Sequence, residues 1–295
     1  MLSRRTVLLG GTAAGAVVAV GAGVGVERGV LPGRPWAQAH LGLNGSPGVV
    51  PDIEPGPVAQ GSFVSEARLG AETGWCLISP PGEHDELPVV VALHGHGADH
   101  ASLLKDQFGL DRYLAAAVAD GVPPFAIAAA DGGGNYWHPR PDGDDASAMV
   151  VDELLPMLAD GHGVRTDRIG LLGWSMGGYG ALRLAALLGP DRVGAVVAVS
   201  PAVWRDPDDA SRKGFVDAAE YEEYSVMGRQ EELAGIPVRV DCGTGDPFYR
   251  EVQAYADGFD DVTSSFDPGA HDPDYWRRML PVELAFLGEH VGSTT

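Results

Sequence analysis

Short apolar runs, each followed by a stretch long enough to form a helix, dominate the chain beyond residue 85. Five of these runs have the length of a buried strand: residues 89–93, 125–130, 169–173, 195–200 and 238–242. Strands that are covered by helices on both faces are apolar throughout rather than alternating. The pattern therefore predicts the α/β class, with a mainly parallel central sheet and helices on both of its faces.

The same pattern predicts the remaining elements. Two segments, 63–69 and 75–79, are joined by 70–74 and indicate an antiparallel hairpin at the sheet edge, and residues 262–266 indicate the last strand. Helices are predicted over 102–120 in two pieces, 146–160, 176–188, 248–258 and 274–287. The acidic segment 204–234, which follows the strand ending near Ser200, is either a short insertion over the carboxyl-terminal edge of the sheet or a solvated loop and helix.

The first residues have the pattern of an exported protein. Arg4 and Arg5 directly precede a Gly/Ala/Val-rich stretch without charges that reaches Val26, which resembles a twin-arginine export signal. We expect residues 1–34 to be this signal or a retained anchor, because about 20 apolar residues can cross a bilayer. A helix buried in the domain is the alternative. Recurrent Pro and Gly predict a tether over 35–61, which leaves 62–295 for the folded domain.

Charge and cysteine content restrict the partners and the redox chemistry. The formal net charge is −21, and the chain without residues 1–34 carries about −24, because that segment contributes +3. So acidic a protein repels a phosphate backbone, which excludes nucleic acid, and membrane contact is expected only if the N-terminal segment is retained. The two cysteines, Cys76 and Cys242, lie in apolar strand-like runs, which predicts buried free thiols rather than a disulfide.

A candidate nucleophile lies between a predicted strand and a predicted helix. Gly173, Ser175 and Gly177 form the pattern G-x-S-x-G directly after an apolar run. Glycines at these positions let the strand, the turn and the helix approach closely, so that the serine hydroxyl stands clear of the backbone. The sequence therefore predicts Ser175 as a nucleophile, and a glycine-rich turn with an incidental serine is the alternative.

A serine hydroxyl is a weak nucleophile and needs a histidine base oriented by an acid. In this context the expected chain order is Ser, acid, His. His271 and His290 are the histidines downstream of Ser175, and we assign the base to His271 because it follows the last predicted strand. Asp246, just beyond the strand at 238–242, is the predicted acid. Its nearest competitor, Asp241, lies inside that strand.

A tetrahedral oxyanion would need two amide donors. The amide of Met176, the residue after the nucleophile, is one candidate. The other is expected at His96, in the glycine-rich turn after residues 89–93, with Gly97 as the second choice. Residues of metal-binding type also occur, and they offer a metal cluster and a calcium loop as alternatives: His94, His96, Asp99 and His100 for the first, Asp142, Asp144 and Asp145 for the second. We expect no metal, because the turn already has a role.

Aromatic side chains in loops at the same sheet edge are candidates for substrate contact. Tyr136 and Trp137 lie on the turn after residues 125–130, Trp204 follows the strand near Ser200, and Trp174 precedes the nucleophile. These rings would line an acyl or alcohol pocket. The alternative is that Trp137 and Trp204 only pack the loops together.

The segment 173–182, with the sequence GWSMGGYGAL, closely resembles the nucleophile segment of a family of esterases that includes esterase D (S-formylglutathione hydrolase) and the mycolyltransferases. The resemblance spans about 75–287 and includes residues 93–96, 152–156, 241–246 and 271–276. It implies the α/β-hydrolase fold, a catalytic domain at 62–295, and no metal or organic cofactor. It also implies the triad roles for Ser175, Asp246 and His271.

The expected function is that of an exported serine carboxylesterase, extracellular or associated with the cell envelope, that cleaves a small-molecule ester through an acyl-enzyme. The export signal departs from cytosolic S-formylglutathione hydrolases. Acyl transfer to a sugar or lipid alcohol uses the same acyl-enzyme and stays open as an alternative. So does a non-catalytic binding protein with the hydrolase fold.

Overall fold

The computed structural model describes residues 33–105 and 108–292, so the predicted export signal lies almost wholly outside the described residues. A central sheet contains eight strands within these residues. In chain order they are β1 Val58–Ser65, β2 Ala71–Ile78, β3 Pro88–Leu93, β4 Ala126–Ala130, β5 Arg165–Trp174, β6 Val193–Val199, β7 Val238–Asp241 and β8 Thr263–Ser265.

The spatial order of the strands is β1-β2-β4-β3-β5-β6-β7-β8. β1 and β2 form an antiparallel hairpin, and β2 is also antiparallel to β4, whereas all later neighbours are parallel. The predicted mainly parallel sheet with a hairpin at its edge is therefore confirmed. Because β3 to β8 are parallel, the loops after their carboxyl ends meet at one edge of the sheet.

Helices cover both faces of this sheet, and none among the described residues is long and apolar enough to cross a membrane. In chain order they are α1 Arg34–His40, α2 Leu110–Ala119, α3 Ala146–Ala148, a π-helical turn Met149–Leu154, α4 Leu155–His162, α5 Met176–Leu188, α6 Ala218–Tyr224, α7 Tyr249–Ala256 and α8 Pro273–Val291. Two 3₁₀ turns cover His100–Leu103 and Gln230–Leu233.

Strand β3 shows why the apolar runs are continuous. Val89 and Val91 pack with α4, α5 and α7 in one hydrophobic core, whereas Val90 and Ala92 pack with α2 and α8 in the other. Successive side chains of a strand point to opposite faces, so a central strand between two helical layers is apolar at nearly every position. The sheet thus separates two hydrophobic cores, one on each of its faces.

The segment predicted as a tether is partly folded onto the domain. Its residues form α1, and β1 begins at Val58, four residues before the expected domain start at Ser62. The amide of Gly48 donates to the carbonyl of Asp274 at 2.8 Å, and the Tyr113 hydroxyl donates to the carbonyl of Val49. Proline and glycine content alone could not show these contacts, because their partners are distant in the sequence.

The hairpin and the acidic insertion also differ in detail from the prediction. The hairpin turn lies at residues 66–70 rather than 70–74, because Leu69 and Gly70 adopt positive φ and return the chain there. The insertion 204–234 does lie over the carboxyl-terminal sheet edge. It is not simply solvated, since Phe215 and Tyr221 are buried and the Phe215 ring packs against Tyr136 of the loop after β4.

Both cysteines are buried and free. Cys76 lies in β2 and Cys242 follows β7, with four strands between these two in the sheet. Burial raises the pKa of the Cys76 thiol to about 12, since the thiolate would lose its hydration.

A buried group of charged residues lies beneath the end of β7. Arg239 Nε contacts Asp241 Oδ2 at 2.7 Å, and Glu283 of α8 is fully buried beside this pair. Burial, together with the nearby Asp241 carboxylate, raises the pKa of Glu283 well above its ordinary value. Asp241, the competing candidate for the acid, is thus engaged in a structural ion pair.

We expect Glu283→Gln to stabilise the protein increasingly as the pH rises above about 4.5. The raised pKa means that the folded state keeps a proton that the unfolded chain releases, so the free energy of unfolding falls with rising pH through that interval. Glutamine cannot ionise, so at pH 8 the free energy of unfolding of Glu283→Gln should exceed that of the wild type by on the order of 1–3 kcal/mol. Urea unfolding at pH 4.5 and pH 8 measures the difference.

The control for this prediction is Glu54→Gln, which removes an exposed carboxylate and should leave the pH dependence unchanged. A gain for Glu283→Gln that is equal at both pH values would contradict the assignment.

Candidate active site

The candidate nucleophile sits on a strained turn. β5 ends at Trp174, α5 begins at Met176, and Ser175 between them has φ 56° and ψ −117°. Residues with side chains rarely adopt such values, and they persist only where the surroundings fix them. Here the Ser175 amide donates to the Val199 carbonyl at 2.9 Å, and the Ser175 carbonyl accepts from the amide of Ala202.

The two glycines of the motif are required by close backbone contacts. A Cβ on Gly177 would lie 1.8 Å from the Leu93 carbonyl oxygen, and one on Gly173 would lie 2.0 Å from the Gly177 oxygen. Such separations are far below van der Waals contact, so any side chain would force the turn away from β3. The glycines therefore bring the serine turn against the carboxyl end of β3, which is the reason predicted for them.

The structure brings the three predicted triad side chains together. His271 Nε2 lies 2.9 Å from Ser175 Oγ, and His271 Nδ1 lies 2.7 Å from Asp246 Oδ2. With the imidazole neutral, Nδ1–H donates to the carboxylate and Nε2 accepts from the hydroxyl. This arrangement lets the serine proton pass to a histidine whose orientation is fixed by an acid.

The loops that carry the acid and the histidine hold each other. The amide of Gly245 donates to the Gly269 carbonyl at 2.7 Å, and the amide of Thr244 donates to the Asp267 carbonyl at 2.8 Å. The Asp246 side chain is fully buried, and its second oxygen accepts from the Phe248 amide at 2.8 Å. His290, the other downstream histidine, bonds the Phe286 carbonyl of its own helix instead.

Two aromatic rings that the sequence analysis missed flank the imidazole. The centroids of Phe248 and Trp276 each lie 5.3 Å from that of His271, the Trp276 ring at 84° to it. The indole N–H of Trp276 donates to Ser200 Oγ at 3.3 Å. Their positions, two residues after Asp246 and five after His271, were the available signal, because residues so close to the triad must lie at the same sheet edge.

The glycine-rich turn after β3 lies beside the serine. A Cβ on Gly95 would lie 3.5 Å from Ser175 Cβ, so the two backbones are in contact. His94 Nε2 accepts from the Gly132 amide at 2.9 Å, and its Nδ1 lies 2.8 Å from the Gly95 carbonyl. Burial lowers the pKa of His94, which suits a neutral ring that accepts at one nitrogen and donates at the other.

Each of the two predicted amide donors directly follows one of the residues in this contact: Met176 follows Ser175, and His96 follows Gly95. Met176 is the first residue of α5, so its amide has no acceptor within the helix and the positive helix end is directed at Ser175. His96, the second predicted donor, lines the cleft that contains Ser175. Gly97, the second choice, has φ 79°.

The residues of metal-binding type have other partners. His100 Nδ1 lies 2.7 Å from Asp131, and Asp144 pairs with Arg68 at 3.1 Å. Asp145 accepts from the amides that begin α3. Within residues 33–105 and 108–292, no cluster of three or more His, Cys, Asp or Glu side chains has a geometry suited to a metal ion.

The predicted substrate-contact residues need correction. Trp137 is only 1% exposed and Tyr136 only 6%, so neither offers a surface to a substrate. Gly132 and Gly180 make room for the Trp137 indole: a Cβ on either would lie within 2.7 Å of it. Its Nε1–H donates to the His94 carbonyl at 3.2 Å. Trp137 therefore packs the loops together, the alternative weighed above.

Of the other two predicted rings, Trp174 borders the cleft but is only 1% exposed, so it too offers a substrate little surface. Trp204 is half-buried and lies 5.5 Å from Phe248, one ring further from His271. The cleft has a volume of about 330 Å³. Its walls are largely apolar and come from the turn after β3, the 3₁₀ turn that follows it, the segment before α2, the end of β5 and the start of α8. They include Leu103, Phe108, Trp174, Pro273 and Trp276.

The fold and the serine turn together define a serine hydrolase of the α/β-hydrolase class. The sequence matches the family described as "Putative esterase" over residues 67–287, well over half of the chain. The chain therefore belongs to this esterase family, as the resemblance predicted, and is a carboxylesterase-type hydrolase.

Solved structures share the fold of this chain. The chain is similar to a ferulic acid esterase with a TM-score of 0.67 and 23% identity, covering 79% of this chain and 98% of that one. A fluorophosphonate-binding serine hydrolase F of Staphylococcus aureus has a TM-score of 0.65 at 16% identity, covering 80% and 99%. An S-formylglutathione hydrolase from Agrobacterium tumefaciens has a TM-score of 0.65 at 21% identity, covering 82% and 98%. These similarities confirm the α/β-hydrolase fold.

Proposed function

We propose that this esterase is exported and hydrolyses small to medium carboxylic esters by a Ser175–His271–Asp246 triad. The continuous hydrogen-bonded chain from Ser175 Oγ through His271 to Asp246 carries the proposal. Fixed in this order, the three groups can activate the hydroxyl, accept its proton and stabilise the resulting imidazolium.

The reaction follows from these positions. Ser175 Oγ attacks the acyl carbon while its proton moves to His271 Nε2, and the carbonyl electron pair moves onto oxygen. The intermediate collapses, the alcohol leaves with the proton from His271, and the acyl group stays on Ser175. Water then attacks this ester with His271 again taking a proton, and collapse returns the acid and the free serine.

The amides of Met176 and His96 are the donors that we assign to the oxyanion. They extend from the start of α5 and from the turn held by His94, two backbone segments that meet at Gly95 and Gly177. Donors fixed before the reaction need no reorganisation when the negative charge forms. No metal or cofactor has a role in this mechanism.

The dimensions of the cleft support a small or medium substrate. A volume of about 330 Å³ lies at the lower end of the range for ligand pockets. The acidic insertion over the sheet edge has Phe215 and Tyr221 buried against the domain, and Trp204 and Tyr224 are partly buried against the same core. It therefore lacks the exposed apolar face that a lid needs to open onto lipid.

Ser175→Ala and His271→Ala should each lower kcat for an activated ester by about 10⁴, and the double variant should be scarcely worse, because the two residues act as one unit. Steady-state kinetics with p-nitrophenyl acetate measures this. Asp246→Asn should also be severe, since it sets the wrong tautomer. His84→Ala, which removes an exposed histidine, is the control. Additive losses would contradict a shared triad, and full activity of either variant would contradict the triad itself. A wild type without esterase activity would instead leave the non-catalytic binding protein.

Hydrolysis should favour short and medium acyl chains, because the cleft, lined in part by Phe108 and Trp276, has a volume of only about 330 Å³. A series of p-nitrophenyl esters, followed by emulsified triglyceride, measures kcat/KM against chain length, with Ser175→Ala as the background. A rate that rises beyond about twelve carbons, or that jumps when the substrate forms micelles, would contradict the proposal. Acyl products on added sugar or lipid alcohols would instead identify an acyltransferase.

Export should depend on the arginine pair. Replacing both Arg4 and Arg5 by lysine should keep the full chain inside the cell, whereas Arg28→Lys should not. Fractionation of a host that has the twin-arginine machinery, with esterase activity measured in each fraction, tests this. Equal distribution of the variants would contradict a twin-arginine signal.

A further inference from the structure

Residues 34–48, here called the N-terminal strap, lie across the loop that carries Asp246. Gln38 of α1 is 4% exposed, and its Oε1 lies 3.4 Å from Thr244 Oγ1. A Cβ on Gly245 would lie 2.4 Å from Asn44 Oδ1 and 2.7 Å from Gln38 Oε1. Two side chains of the strap therefore rest directly on the backbone of the residue before Asp246.

Arg278 ties the strap to the loop that carries His271. Its guanidinium donates to the carbonyls of Asn44 at 3.3 Å and Ser46 at 2.5 Å, and also to the carbonyl of Pro268. Pro268 lies three residues before His271. The Arg278 guanidinium thus joins the strap to the loop that carries His271, because its planar group can donate hydrogen bonds to several carbonyls at once.

Further contacts fix both ends of the strap. The Arg34 guanidinium lies 4.4 Å from the centroid of the Tyr249 ring in α7, and the Gly48 amide donates to Asp274 at the start of α8. A Cβ on Gly48 would lie 2.2 Å from the Arg278 amide nitrogen. The strap therefore passes against the acid loop and the base loop while anchored to the helices that follow them.

We propose that the N-terminal strap positions the triad, with Gln38, Asn44 and Arg278 as positioning residues. The loop that carries Asp246 and the loop that carries His271 are joined by two backbone hydrogen bonds, and the strap packs against their outer side. Without it these loops gain freedom, so that His271 is less often aligned with Ser175. Misplacement by about 1 Å can lower a rate by about 10². The inference rests on the triad proposed above.

The test uses the full chain with Gln38→Ala/Asn44→Ala. Active sites are titrated with a fluorophosphonate, and kcat and KM for p-nitrophenyl acetate are expressed per titrated site. We expect kcat to fall about 10-fold with KM changed less than about twofold. Arg278→Ala, made separately, should act in the same direction. Trp36→Ala/Leu41→Ala is the control, because those strap side chains are 67% and 69% exposed, and its kcat should match that of the wild type.

An unchanged kcat per titrated site in Gln38→Ala/Asn44→Ala and Arg278→Ala would overturn the inference, even if the melting temperature fell, because the strap would then only stabilise the fold. An equal loss in the Trp36→Ala/Leu41→Ala control would overturn it too. Activity retained by Ser175→Ala would instead remove the proposed function, so the two failures are distinguishable.

Discussion

The close backbone approach between Gly177 and the carbonyl of Leu93 is the constraint on which the site depends. With no room for a Cβ there, α5 begins directly after β5, and Ser175, the single residue between them, has the strained values φ 56° and ψ −117°. The same approach brings the beginning of a helix, with its unpaired amides, against the turn after β3. The strained turn that carries Ser175 and the positive end of α5 beside it thus depend on one steric fact.

Burial governs the chemistry around that contact. The carboxylate of Asp246 is fully enclosed yet keeps two partners, the imidazole and the Phe248 amide. Two aromatic rings limit the space in which the imidazole can turn. The neutral His94 ring supports the turn after β3, because one ring nitrogen accepts from the Gly132 amide while the other donates to the Gly95 carbonyl. Polar groups that are enclosed but fully paired act more strongly than they would in water, since little solvent competes for them.

The sequence predicts what local pattern controls and misses what depends on distant contacts. Apolar runs located the central strands because a sheet between two helical layers leaves few polar positions there. The order Ser, Asp, His indicated three side chains that the structure brings together, because parallel strands end at one edge. Trp137 was misassigned because its burial depends on Gly180, in another element. The strap was mistaken for a tether because proline and glycine content gives no information about Arg278, which binds the Ser46 carbonyl from more than 200 residues away.

The position of β1 has a practical consequence for recombinant work. A chain begun at residue 62, where composition changes, would lack half of the outermost strand, whose residues pair with β2 from Val58 onward. The exposed edge of β2 would then present unpaired amides and carbonyls to other molecules, which is the usual route to edge-to-edge aggregation. Insoluble protein from such a truncation would reflect the lost strand, and a start at or before Gly33 keeps the sheet edge complete.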